Sequence, residues 1–377
     1  LSERVIIIKY GFRRRNRRFL TLFSVNEKNR EVFGVIRFNN DYNRGAMRCV
    51  LDAIESAGSD SFAGYGEDER CERARETIRG AVGAPDADVH FFPGATQANF
   101  VVISSMLTSV QSVISADTGH INCHEAASVE NTGHKIIGLP NVDGKLTAAQ
   151  IRACAAEYYL GGEPEYLTEP KAVYISFPTE SGTLYSLREL REISEVCREF
   201  GMYLFVDGAR MGYGLGAERN DIALADFAKY SDVFYIGGTK CGALFGEALV
   251  IVSNSLKRRF KAHMKQSGAV LAKGFLLGIQ FSALLESGEY FTLCRRADEQ
   301  AMLIKNAFEK KGIKMRSQSY TNQQFAILSD AQKETLARDF IFEESGTCDG
   351  GTVVRFCTSW ATSDDEVKAL VDAVGRL

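Results

Sequence analysis

Nine cysteines are scattered along the 377 residues, and no two form a CxxC pair. An odd, dispersed set excludes a disulfide framework and a zinc knuckle; it fits free thiols in a reducing compartment, most of them small core residues. No uninterrupted apolar run is long enough to span a bilayer. A marked charge excess is also missing. Lys and Arg number 45 against 48 Asp and Glu, a net charge of -3, which gives no reason to expect nucleic acid or an anionic membrane as partner. There is no internal repeat, low-complexity tract or Gly/Ser linker. What remains, 45% hydrophobic and 25% charged residues, is the composition of a soluble globular protein, with length for roughly two domains.

Several familiar motifs are absent too. A Walker loop would need GxxxxGK followed by Ser or Thr, but Lys240 is followed by Cys241. Glycines 212, 214 and 216 are spaced GxGxG, not GxGxxG, and no acidic residue ends a following strand at the distance a dinucleotide site needs. His120 and His124 stand four apart, but HExxH and HxxEH both fail because Ile121 and Cys123 occupy the positions of the required glutamate. With no third ligand in view, no metal is expected.

Residues 1–36 differ from the rest. Five arginines lie between Arg13 and Arg18, and only Glu3 and Glu27 are acidic in the first thirty positions. A basic N-terminal arm on a cytoplasmic protein is one reading. An Arg-rich remnant of mitochondrial targeting is the other.

From residue 45 to about 255, strand and helix patterns alternate. Short apolar runs at 90–93, 112–115, 135–140, 171–178, 202–208, 232–238 and 247–253 read as strands covered on both faces. Between them, "SLRELREISEVCREF" sets Leu187, Leu190, Ile193, Val196, Cys197 and Phe200 on one helical face. Ser186 with Glu189, Thr147 with Gln150, and Ser363 with Glu366 form capping-box signatures. This alternation predicts a largely parallel α/β domain over 37–255, whose ligands bind outside the carboxyl ends of the strands. A helical region over 256–310, then strands at "GIKMRS", "QQFAILS" and "TVVRFCTSW", predict a smaller α+β domain over 256–377.

Four features sit at predicted strand ends. "FFPGATQANF" turns from a strand into a helix at Gly94, Ala95 and Thr96, where free backbone N–H groups and a hydroxyl suit a phosphate or carboxylate. An ordinary N-cap at Thr96 is the plain alternative. Asp207 closes an apolar strand three residues before Arg210; the two are either a structural ion pair or separate ligands, one for a protonated ring nitrogen and one for a carboxylate. Lys240, among small and apolar neighbours, has its ammonium form disfavoured, the state in which an amine forms a Schiff base. Read together with Asp207 and Thr96 as the amine of such an imine, it would have small neighbours that leave room for a flat ring. His120 follows another strand and suits ring stacking or proton transfer, with His124 a weaker candidate.

Together, a phosphate cup, an acid for a ring nitrogen and a Schiff-base lysine are what proteins supply to pyridoxal phosphate. The order resembles the fold-type I enzymes using that cofactor, with an aspartate-aminotransferase-like fold. The motifs "FNNDYNRG", "YGED", "GATQAN", "GHI", "DGAR", "GGTKCGALFGE" and "VVRFCTSW" are similar to those of threonine aldolases from residue 37 onward. The resemblance implies cleavage of L-threonine or L-allo-threonine to glycine and acetaldehyde; a β-eliminating lyase, an aminotransferase and a non-catalytic relative are the alternatives. It implies Lys240 as the Schiff-base lysine, Asp207 at the pyridinium nitrogen, Ala95 and Thr96 at the phosphate, and His120 stacked on the ring. Arg210 and Arg355 would bind the substrate carboxylate, with Asn40 in place of the family's serine and Tyr65 near the site. A homodimer or homotetramer with shared active sites is also implied. Where many members carry a phosphate-binding arginine, this chain offers only Lys265 and Lys273.

Overall fold

A computed structural model describes residues 34–377, so the basic arm expected over 1–36 lies almost wholly outside the described residues. Among these residues the strands are β1 (Ile36–Arg37), β2 (Asp88–Phe92), β3 (Gln111–Ala116), β4 (Lys135–Leu139), β5 (Glu169–Ser176), β6 (Tyr203–Asp207), β7 (Val233–Gly237), β8 (Glu247–Ile251), β9 (Gln323–Leu328), β10 (Phe340–Ile341), β11 (Glu343–Cys348) and β12 (Gly351–Cys357). Seven of them form one sheet in the order β2-β8-β7-β6-β5-β3-β4. All seven correspond to the apolar runs read from sequence.

The pairings within β4-β3-β5-β6-β7 are parallel, and β8 runs antiparallel to both β7 and β2. The carboxyl ends of β2, β3, β5, β6 and β7 therefore open on one edge of the sheet. Burial explains the continuous apolar runs. Val173, Ile175, Leu204, Val206, Phe234 and Ile236 enter the core on one face. Their alternating neighbours Ala172, Tyr174, Phe205, Val233 and Tyr235 enter a second core on the other.

The helices follow their predicted chemistry. Leu187–Glu199 begins at Ser186, whose hydroxyl accepts from the Glu189 N–H while the Glu189 carboxylate accepts from the Ser186 N–H. Leu190, Ile193, Val196 and Cys197 are buried as its face required, with Leu187 and Phe200 packed partly buried at its ends. The boxes at Thr147 and Ser363 form as well, as does an unforeseen fourth at Ser329 and Gln332.

The C-terminal sheet, β11-β12-β9, is antiparallel and packs on the helices Glu289–Lys310 and Asp364–Gly375. Two features of this region were not foreseen. Phe38 belongs to this core and β1 pairs with β10, so the start of the described chain joins its C-terminal region. Leu277 and Phe281, beyond the predicted boundary at 255, share the large-sheet core with Cys71 and Ile78. "GIKMRS" does not form the predicted strand; it makes one isolated bridge, Met315 to Ala326.

Candidate active site

The edge where the parallel strands end holds a cleft lined by Ala95, His120, Ser176, Glu180, Asp207, Arg210 and Lys240, among others. Topology delivers each one. Ala95 starts the helix after β2, His120 the short helix after β3, and Glu180 the turn after β5. Asp207 ends β6 in register with Ser176 of β5. Lys240 lies in the connection from β7 to β8.

That connection is held tightly. The Gly238 and Thr239 N–H groups donate to Gly246 O at 3.0 Å each, and Gly238 N–H is shared with the buried Glu247 carboxylate at 3.0 Å. Tyr213 Oη donates to Lys240 O at 2.7 Å. Two glycines here serve packing. A Cβ on Gly238 would fall 2.6 Å from Gly246 O, and one on Gly242, at φ +107°, would meet the Met47 side chain at 2.5 Å. Burial, then the Arg210 charge, lower the Lys240 pKa against the opposing pull of Asp41, Asp207 and Glu247. The neutral, nucleophilic form of the amine is thereby brought closer than in a free lysine.

Asp207 is 4% exposed. It accepts from the Tyr174 hydroxyl, from Asn99 Nδ2 at 3.1 Å and from the Ala209 N–H at 2.9 Å. Burial pushes its carboxyl up, but His120, the Tyr174 hydroxyl and the Ala209 N–H outweigh this and hold it below the ordinary range. The Tyr235 hydroxyl adds to this from outside hydrogen-bonding geometry. Asp207 is therefore held as an anion.

Asn99 extends the network. Its Nδ2 donates to Asp207 and, at 2.7 Å, to Glu125 Oε1, so its amide is fixed by two carboxylates. Glu125 in turn accepts from His120 Nδ1 at 2.7 Å and from Ser128 Oγ at 2.9 Å. With Nδ1 committed, Nε2 is the ring nitrogen of His120 left for other partners. The helix there spans only His120–Cys123, and the His120 and His124 rings sit 5.6 Å apart. Among the described residues no group of three His, Cys, Asp or Glu side chains is placed to hold a metal ion. Glu180, also in the cleft, accepts from the His120 backbone N–H at 2.9 Å and Ser176 Oγ at 2.6 Å, and burial raises its carboxyl pKa.

Arg210 lines the cleft, but its Nε and Nη2 donate to Asp41 at 2.6 and 3.0 Å. The pair is buried, and removing one partner of such a pair costs about 3–5 kcal/mol. The sequence offered Asp207 as the partner of Arg210 in an ion pair; the partner is Asp41. Arg355 does not line this cleft. It donates to Glu343, its cross-strand neighbour, and to Asn39 O at 3.1 Å.

The other predicted residues stand apart. Asn40 Oδ1 accepts from the Tyr42 N–H at 3.1 Å, a local turn. Tyr65 is 52% exposed, with the Lys265 ammonium 4.6 Å from its ring centre. Thr96 is exposed and is not the N-cap. Gly94 is, and no side chain caps that helix, so the first N–H groups of a 12-residue helix remain available for an anion beside Ala95. Glu125, Glu180, Asn99 and Asp41 escaped the sequence reading. The signal for Glu125 lies in "HINCHE", which sets a carboxylate five residues after His120.

A family model for beta-eliminating lyases matches residues 45–331. The low specificity L-threonine aldolase of Pseudomonas sp. (strain NCIMB 10558) is 29% identical over 341 residues, covering 89% of this chain and 95% of that protein. The threonine aldolase structure from Leishmania major superposes with a TM-score of 0.88 at 41% identity, over 90% of this chain and 99% of that one. Thermus thermophilus aspartate aminotransferase shares the fold, with a TM-score of 0.68 at 14% identity over 91% of each chain. The chain belongs to the beta-eliminating lyase family. Within it, it is a member of the threonine aldolases.

Proposed function

We propose that the protein cleaves L-threonine or L-allo-threonine to glycine and acetaldehyde, using pyridoxal phosphate. The observation that carries this reading is the meeting of Lys240 and Asp207 in one cleft beside an uncapped helix start. The residues fit the cofactor. Lys240 would bind its aldehyde carbon, Asp207 its ring nitrogen, and the N–H groups at Ala95 and Thr96, with the Thr96 hydroxyl, its phosphate. When bound, the cofactor supplies an electron sink for the bond broken at the substrate's Cα.

The chain's own residues do the rest. Asp207 stays ionised and keeps a proton on the ring nitrogen. Arg210 binds the substrate carboxylate, with Arg355 as a second cation, and so fixes which bond at Cα faces the sink. Such positioning contributes several kcal/mol, about ten at best. His120, oriented through Nδ1 by Glu125, offers Nε2 to the substrate hydroxyl proton. We also propose that Tyr65 is exposed here because it belongs to a site shared between subunits of a homodimer or homotetramer.

The test is direct. Added pyridoxal phosphate should give the wild type a visible absorption band that borohydride abolishes, and added L-threonine should yield acetaldehyde. Keto-acid formation without acetaldehyde would point to transamination. Lys240→Ala should lose the band and the turnover; normal turnover in that variant would remove Lys240 from its assigned role.

A further inference from the structure

The inner edge of the Arg210 guanidinium is fully used by Asp41. Its Nε meets Asp41 Oδ2 at 2.6 Å and its Nη2 meets Oδ1 at 3.0 Å, a bidentate pair. Asp41 is itself immobilised. It is 2% exposed, and Asn322 Nδ2 donates to Oδ2 at 2.8 Å while also donating to Thr358 O at 3.0 Å. Asn322 is fully buried. The carboxylate thus joins three distant segments of the chain, at residues 41, 210 and 322.

A guanidinium has five N–H donors in a rigid plane. Asp41 takes the Nε hydrogen and one Nη2 hydrogen. The two Nη1 hydrogens and the other Nη2 hydrogen form the outer edge, which remains for the cleft that Arg210 lines. That edge has the fork spacing that suits a second carboxylate.

We propose that Asp41, backed by Asn322, is a positioning residue that grips the inner edge of Arg210 and aims its outer edge at the α-carboxylate of the amino-acid substrate. This rests on the proposed function above. Burial pushes the Asp41 carboxyl up, but Arg210 and Lys240 hold it down to about 2, so it stays ionised and keeps its grip across the working pH range. A competing role is physically distinct: if Asp41 occupied the surface of Arg210 that substrate needs, removing its charge would tighten carboxylate binding.

The experiment is a spectral titration of enzyme loaded with pyridoxal phosphate, using glycine and, in parallel, methylamine, which lacks the carboxylate. In Asp41→Asn the glycine dissociation constant should rise about 10–100-fold, the loss of a charge-assisted contact, with methylamine unchanged within about twofold. Unchanged or tighter glycine binding overturns the proposal, as does equal weakening of both amines. Should Asp41→Asn fail to fold, Asn322→Ala carries the test. It leaves Asp41 and Arg210 in place and should weaken glycine binding selectively and by less; no selective change overturns the proposal. A wild type whose spectrum responds to neither amine would refute the pyridoxal-phosphate reading itself, and this role with it.

Discussion

Replacing Glu247 by glutamine should stabilise the protein, increasingly so as pH rises. The side chain begins β8 directly behind the Lys240 turn, is 2% exposed, and accepts the Gly238 N–H at 3.0 Å. Burial pushes its carboxyl up to about 8, although Thr239, Lys240 and the Gly238 N–H all favour the charged form. An unfolded chain would release this proton near 4.5. Because the folded pKa is the higher one, the stability this group contributes is complete below about 4.5 and is lost as pH rises through about 8. Each unit in that window is worth about 1.4 kcal/mol, so the ionisation penalty is about 3 kcal/mol at pH 7. Glutamine has no such penalty and still offers Oε1 to Gly238. The assay is urea unfolding of both proteins at pH 5, 6, 7 and 8, read as the difference between them. Taking the difference removes the titration of groups that do not interact with Glu247, such as His90, which burial and Arg75 hold down to about 4. A gap that stays constant from pH 5 to 8, or a variant less stable at pH 8, would refute the reasoning.

Glu125→Gln should lower turnover about 10–100-fold with little change in cofactor binding, because the partner of His120 Nδ1 loses its charge and one of its two acceptor oxygens; the check is kcat beside the cofactor dissociation constant. Glu180→Gln keeps an acceptor for the His120 N–H but removes a titratable group from the cleft that also holds Lys240, His120, Asp207 and Arg210. One limb of the pH profile of kcat/KM should shift or vanish in that variant, and a superimposable profile would exclude Glu180 from proton transfer.

The strands of the large sheet were legible because both of their faces are buried, which leaves nearly uninterrupted apolar runs. The small strands were not. β11 reads "EESGTC" and is mostly exposed, so no periodicity marks it, while β1 and β10 are two residues each and exist only because they pair across the chain. "GIKMRS" has the right residue types, yet only Met315 bridges to its neighbour. The positions of Lys240, Asp207 and His120 were likewise legible: each stands at or just past the end of an apolar run, and all three line one cleft. The residues that tune them were not. Asn99 is one turn into a helix and looks like any polar helical residue, and nothing local says that its amide lies between two carboxylates.

The two arginines show where that kind of reading stops. In sequence Arg210 and Arg355 are equivalent candidates for one carboxylate, but their environments give them unequal freedom. Arg210 is held by a carboxylate with no exposed side chain, an interaction that water does not screen. Arg355 is paired with Glu343, whose side chain is 46% exposed, so water screens this pair more than the Arg210 pair. Its Nε is buried without a partner. If the two arginines bind one carboxylate, as proposed, it would meet Arg210 already fixed and Arg355 in a more open pair. Under the proposed function, recognition by Arg210 would be set by the fold in advance, and recognition by Arg355 would be completed as substrate arrives. The difference lies in partners 169 and 12 residues away along the chain.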